Sequence, residues 1–188
     1  MRTFITLLLL VLGGAAMAQD AEKIYSEGKA LYDKKNYVQA VAKLKVAAEQ
    51  GHKKAQYRLG KCYDKGQGTK ENDRVAFQWY MKAASQGYAK AQYEVGKCYK
   101  NGEGTTKDRA KAVEYFTKAA AQDNAEAQLA LGKCYMKGKG VPENLAKAKE
   151  LFKKAVTNEK DGAEIMQELR GEAKLGDQDA KQILQMIK

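Results

Sequence analysis

The chain has very little proline and histidine. Its 188 residues include one proline and one histidine, and aromatic side chains make up 9%. Proline breaks helix interiors, so its near absence favours an all-helical protein. The usual general base near neutral pH is histidine, and His52 has no second histidine beside it. No cysteines have the CxxC spacing of zinc sites. We therefore expect no enzyme activity, no cofactor and no metal.

Long hydrophobic runs are absent beyond the N-terminus. There, Arg2 precedes the apolar run Phe4–Leu12, and Ala16-Met17-Ala18 forms a small-x-small cleavage site. This pattern predicts a signal peptide over residues 1–18, cut before Gln19. The alternative is an uncleaved anchor, although the run is short for a membrane span. We expect an exported product, periplasmic or extracellular, with no integral membrane segment after cleavage.

Basic residues outnumber acidic ones, 34 to 23, giving a net charge of +11. Such a balance raises the possibility of nucleic-acid binding. Export argues against it, and so does the lack of a compact basic helix or an aromatic–basic sheet. We predict no nucleic-acid partner and interpret most of the spread-out lysines as solubilising.

A 36-residue period organises the middle of the chain. Cys62, Cys98 and Cys134 stand 36 residues apart, and a glycine two residues before each and a tyrosine directly after each repeat with them. A Gly-x-Gly follows in every copy. A fixed period of this length is typical of stacked-repeat proteins. Equivalent cysteines on stacked helices would lie roughly 10 Å apart, too far for a disulfide. We interpret them as small buried residues.

Each period contains two helical patterns. In the first, an apolar stripe such as Ala55, Leu59 and Cys62 includes Gly60, which predicts a close approach between helices. The Gly-x-Gly then ends that helix. A capping side chain opens the second helix of each unit. These predicted caps are Asn36, Asn72, Asp108 and Asn144.

This combination of motifs resembles the Sel-one-like repeat, a relative of the tetratricopeptide repeat, over about residues 47 to 156. Residues 21–48 resemble a plain tetratricopeptide repeat, because the Gly-x-Gly insertion is missing there. The resemblance implies an all-α, right-handed alpha-solenoid of antiparallel helical hairpins. It also implies an adaptor whose concave face holds a partner.

The repeats divide the chain into a signal peptide and five helical segments. A helix is predicted over 161–175, and a second helix follows it, with Ala180 and Leu184 in the places of Ala55 and Leu59. Together these two helices would cover the last apolar face of the repeats. The predicted division is 1–18 signal peptide, 19–50 first hairpin, 51–86, 87–122 and 123–157 repeats, and 158–188 capping helices.

Two side-chain positions are candidates for ligand binding. By analogy with tetratricopeptide repeats, both should point into the groove. A lysine follows the helix glycine in every unit: Lys29, Lys61, Lys97 and Lys133. Three residues before that glycine stand Tyr25, Tyr57, Tyr93 and Leu129. Lysines beside aromatic rings would suit an acidic, extended ligand. Alternatively, the lysines are solvated or merely duplicated, and Tyr57 and Tyr93 belong to the core.

The sequence therefore predicts an exported adaptor that binds a protein or peptide, possibly acidic, through its concave face. The alternative is a cell-envelope binder of acidic glycan or peptidoglycan. A third reading, an enzyme, has no constellation of residues that fits a catalytic site.

Overall fold

The described residues are 19–188 of a computed structural model, and they contain helices and turns but no strand. The predicted signal peptide, residues 1–18, lies outside them. A first helix, α1, occupies residues 19–33. The helices that follow are α2 Tyr37–Glu49, α3 Lys53–Asp64, α4 Asp73–Ser85, α5 Ala89–Asn101, α6 Arg109–Ala120, α7 Ala125–Lys137, α8 Leu145–Val156, α9 Gly162–Lys174 and α10 Gln178–Ile187. They form the all-α helical-repeat fold that the sequence predicts.

The helices belong to two compact units. The first ends at Tyr88 and the second is Ala89–Lys188. Within the first unit α3 and α4 form a hairpin, and within the second α5 pairs with α6 and α7 with α8. We call the first helix of each hairpin, α1, α3, α5 or α7, an A helix.

A glycine in each A helix lets the two helices of a hairpin approach closely. A Cβ atom on Gly60 would lie 2.6 Å from the ring of Tyr80, and one on Gly96 would lie 2.5 Å from the ring of Phe116. A Cβ atom on Gly132 would likewise clash with the ring of Phe152. All three rings are fully buried. The predicted close approach is confirmed, and the space of the missing side chain is filled by an aromatic ring.

Capping side chains open the second helices, with one exception. Asn72 and Asp108 accept hydrogen bonds from Val75 N and Lys111 N at 3.1 and 3.0 Å, and Asn144 caps α8 similarly. The prediction for Asn36 is wrong, because it makes no side-chain capping bond. Its ψ of 62° departs from the extended conformation of the other caps, so its side chain does not turn back over the first helical turn.

The Gly-x-Gly loops take the left-handed conformation that the sequence predicts. All six glycines of these loops have a positive φ, between 60° and 85°. A backbone bond then closes each loop, from Asn72 N to Tyr63 O at 2.8 Å, and the equivalent bond recurs in the next two repeats. These loops therefore set a fixed path from each A helix to its partner.

Two C-terminal helices cover the end of the second unit. Ile165 and Leu169 of α9 and Ile183 of α10 form a buried cluster with Phe152 of α8. These two helices therefore pack on α8, and their role as capping helices stays a prediction. Ile183 is fully buried, whereas Leu184, which the repeat alignment places in the core, is only partly buried.

Within residues 19–188, no helix combines the length and the apolar character needed to cross a membrane.

Candidate binding surface on the A helices

In the first unit the predicted lysines and tyrosines lie on α1 and α3. Lys29 is exposed and forms an ion pair with Asp33 at 2.8 Å. Lys61 Nζ lies 5.9 Å from the ring centroid of Tyr57, one helical turn away. Tyr25 is 7% exposed and stacks on His52 with ring centroids 4.4 Å apart. Tyr25 therefore supports the fold more than it offers a contact surface.

In the second unit the same pairing recurs on α5. Lys97 Nζ lies 5.5 Å from the ring centroid of Tyr93 and 2.8 Å from the carboxylate of Glu94. The ring of Tyr93 packs on Phe116 at 5.9 Å, and burial raises its pKa to about 12. The ring is thus anchored in the core and turns one edge outward, as amphipathic side chains commonly do.

The second unit also has a pocket, with a volume of about 460 Å³. Its apolar lining residues include Tyr93, Leu129, Ala130 and Ile165. Its lining comes from α5, α6, α7, α9, α10 and the loops that follow α5 and α7. Of the predicted positions, Lys133, Tyr93 and Leu129 come together here, whereas Lys97 does not line the pocket.

The pocket is strongly basic. Six cationic side chains and three carboxylates line it. The cations are Lys100, Lys107, Arg109, Lys133, Lys137 and Lys139, and the carboxylates are Glu126, Glu168 and Asp179. Lys137 is bonded to Asp179 across α7 and α10. Within residues 19–188, the other five cations have no carboxylate within ion-pair distance.

Like charges crowd together at Lys100. Burial lowers the pKa of this lysine, and the neighbouring Lys97 and Lys133 lower it further. The charged form of Lys100 is raised in free energy in these surroundings, because its charge is neither fully hydrated nor balanced. An anion in the pocket would remove that cost.

Sequence reasoning identified Lys133 and missed the other cations of the pocket. Lys107, Arg109 and Lys139 belong to loops or helix starts and do not recur at a single repeat position. They converge only because the Gly-x-Gly loops return the chain beside the ends of α5 and α7. No spacing in the sequence signals this arrangement.

The three cysteines lie in the helical core of the described residues. All three cysteines are buried, and none forms a disulfide within the described residues. Burial raises the pKa of Cys62 to about 11 and also raises that of Cys134, so these two remain unreactive thiols at neutral pH. In the part of the chain from residue 19 onward, no three His, Cys, Asp or Glu side chains are grouped to hold a metal.

Comparisons with known proteins agree with the helical-repeat fold. A family model described as "Sel1 repeat" matches residues 14–52, 53–88, 89–124 and 125–158. Similar solved structures include a Sel1 repeat protein from Oxalobacter formigenes, which is 32% identical to this chain with a TM-score of 0.68. The alignment covers 82% of this chain and 71% of that protein. A search among curated proteins found no match.

A second similar structure is a protective antigen, c5321, present in uropathogenic Escherichia coli strains and displaying an SLR fold. It is 28% identical with a TM-score of 0.71, and the alignment covers 92% of this chain. The chain spans 43% of the antigen's length. The repeats and these neighbours indicate a scaffold for protein–protein interaction.

Proposed function

We propose that this chain, which belongs to the Sel1 repeat family, is an exported scaffold that binds an acidic segment of a protein or peptide along its A helices. Its predicted signal peptide would place it in the periplasm or outside the cell. The surface formed by the A helices would be the concave face that the sequence resemblance implies. Binding, and not catalysis, is the proposed activity, with no nucleic acid as partner.

The basic pocket of the second unit carries this proposal. Within residues 19–188, five cations that line this pocket have no ion pair, and Tyr93 and Leu129 line it as well. Acidic side chains of a partner would balance those charges while neighbouring apolar side chains contact Tyr93 and Leu129. Complementary charge speeds association and selects partners more than it raises affinity. The arrangement thus fits a segment in which acidic and apolar residues are mixed.

The predicted lysines should contribute unequally. Lys133 lines the pocket, whereas Lys29 and Lys97 already have carboxylate neighbours in Asp33 and Glu94. Exposed ion pairs of this kind are weak, but a partner would still have to displace them. We expect charge reversal at Lys133 to weaken binding more than charge reversal at Lys97.

Affinity capture from a native envelope extract tests the proposal. The baits are the purified protein, a pocket variant with Lys100→Glu and Lys133→Glu, and a control variant with Lys149→Glu and Lys153→Glu. The control lysines are exposed on α8 and outside the pocket, and both variants change the net charge equally.

A protein captured by the first and third baits and lost by the second would support the proposal. Equal capture by all three baits would mean that the pocket is not the binding site. The alternative ligand, an acidic glycan or peptidoglycan, also suits a basic pocket. Retention on purified wall material, lost in the pocket variant, with no protein captured, would favour that alternative.

A further inference from the structure

The first unit contains a half-buried arginine without a carboxylate partner. Arg58 of α3 reaches toward α1, where its Nε donates to Tyr25 Oη at 3.5 Å. Its guanidinium carbon lies 5.2 Å from the ring centroid of Tyr32. Between residues 19 and 188 its two terminal NH2 groups meet no hydrogen-bond acceptor, and no carboxylate lies within ion-pair distance. Burying part of a charge is costly unless it is paired.

Tyrosines surround this guanidinium. The hydroxyl of Tyr32 donates to Gln67 Oε1 at 2.6 Å, so it is already engaged. Tyr88 contacts Tyr57, the residue before Arg58, edge-on at 5.3 Å. Burial raises the pKa of Tyr88, Tyr25 raises it further, and Arg58 lowers it, so these side chains share one neighbourhood. The Tyr88 hydroxyl has no hydrogen-bond partner among the described residues.

The one carboxylate near Arg58 in the described residues, that of Asp33, offsets part of its charge and is shared with a lysine. Asp33 is close enough for Arg58 to lower its pKa, but its carboxylate is hydrogen-bonded to Lys29 at 2.8 Å. The Cys62 thiol, whose pKa burial raises to about 11, is neutral near pH 7. The guanidinium therefore lies over an aromatic ring, and within residues 19–188 its two terminal NH2 groups make no hydrogen bond.

We propose that Arg58, with Tyr88 beside it, forms a subsite that binds a single carboxylate, the side chain of an aspartate or glutamate on a partner. The planar guanidinium offers parallel N–H groups that match the two oxygens of a carboxylate. The ring of Tyr32 and the hydrogen bond to Tyr25 hold the guanidinium in place, and the Tyr88 hydroxyl would supply a further donor. This subsite lies within the first unit and does not depend on the basic pocket of the second.

Duplication does not explain Arg58. The residues at the equivalent places of the next two repeats are Glu94 and Ala130. The arginine and its tyrosines are therefore a local feature of the first unit, whereas the lysine after each helix glycine recurs in all four units.

The test is NMR of the arginine Nε–H groups in the full protein labelled with 15N. The probes are N-acetyl-glutamate amide, which carries one carboxylate, and N-acetyl-glutamine amide, its neutral isostere. Inorganic phosphate is the third probe. Exposed Arg74 and Arg170 report nonspecific pairing in the same spectrum, and Arg109 reports the basic pocket separately.

The expected result is a saturable shift of the Arg58 signal with the glutamate probe, at a concentration at least about tenfold below that which moves Arg74 and Arg170. The glutamine probe should have no effect. Arg58→Lys, followed through the backbone amide signals near position 58, should weaken binding by about tenfold or more, since lysine cannot pair with both oxygens. Tyr88→Phe should weaken it less, with an unchanged melting temperature.

Three results would overturn the proposal. One is an Arg58 signal that moves no more than those of Arg74 and Arg170. Another is an equal response to the glutamine probe. A third is tighter binding of phosphate than of the glutamate probe, which would mean that the subsite prefers a tetrahedral anion. If the Arg58 signal shifts as expected but the capture experiment fails, the proposed role of the basic pocket is refuted and the Arg58 subsite is not.

Discussion

Gly96→Ala should destabilise the protein, although alanine is the better helix former. The new Cβ would lie 2.5 Å from two carbons of the Phe116 ring, whereas carbon atoms pack best at about 3.5–4.0 Å. The ring is fully buried, so one of the two helices has to move by roughly 1 Å. Overpacking of this kind costs about 1–3 kcal/mol, and the gain in helix propensity is about 1 kcal/mol. We expect a net loss of about 0–2 kcal/mol.

Gly171→Ala is the matched control. Gly171 lies inside α9, is exposed, and a Cβ there would meet nothing within 4 Å. This change should stabilise the protein by up to about 1 kcal/mol. The two variants should thus differ by the overpacking cost alone, and differ in Tm by at least about 2–4 °C, the shift for 1 kcal/mol in a chain of this size. Equal stabilisation by both substitutions would refute the packing account of Gly96.

Three further predictions concern strain, hydrogen bonding and charge. Lys35 has a φ of 63°, so Lys35→Gly should raise the free energy of unfolding by about 0.5–1 kcal/mol, measured by denaturant titration. Gln56 donates to Ala48 O at 3.0 Å, so Gln56→Leu should cost about 1–3 kcal/mol. Gln128 has only 3.4 Å bonds and an unsatisfied buried Oε1, so Gln128→Leu should be nearly neutral; equal losses would contradict this reasoning. Lys100→Met should raise the Tm at neutral pH, because burial lowers the pKa of Lys100 and the charged form is disfavoured in the fold. That gain in Tm should shrink as the pH rises through the lowered pKa, where wild-type Lys100 begins to lose its proton. A gain in Tm that grows with pH would contradict the prediction that the charged form destabilises the fold.

Periodic features of this protein could be predicted from sequence because each depends on one local requirement. Gly96 recurs with Gly60 and Gly132 because a ring needs its space, and Asn72 recurs with Asp108 because a helix start needs an acceptor. Such requirements act within one hairpin. They are therefore visible as residues at fixed spacing.

The candidate sites could not be predicted in the same way. The pocket brings Lys100, Lys107 and Lys139 together from a helix and two loops, and the Arg58 subsite joins α1 to α3. Both depend on distances between elements, which no repeat spacing encodes. Asn36 failed as a cap for a related reason: its backbone ψ is set by the turn from α1, which lacks the Gly-x-Gly loop.

Site-specific photo-crosslinking in the native host tests the central claim most directly. A benzophenone amino acid would replace Ala130, which lines the pocket, in one strain. In a second strain it would replace Ala146, which is exposed on α8 and outside the pocket. The account predicts a crosslinked protein partner from position 130 that is absent or much weaker from position 146. A partner crosslinked from position 146 and not from position 130 would contradict it.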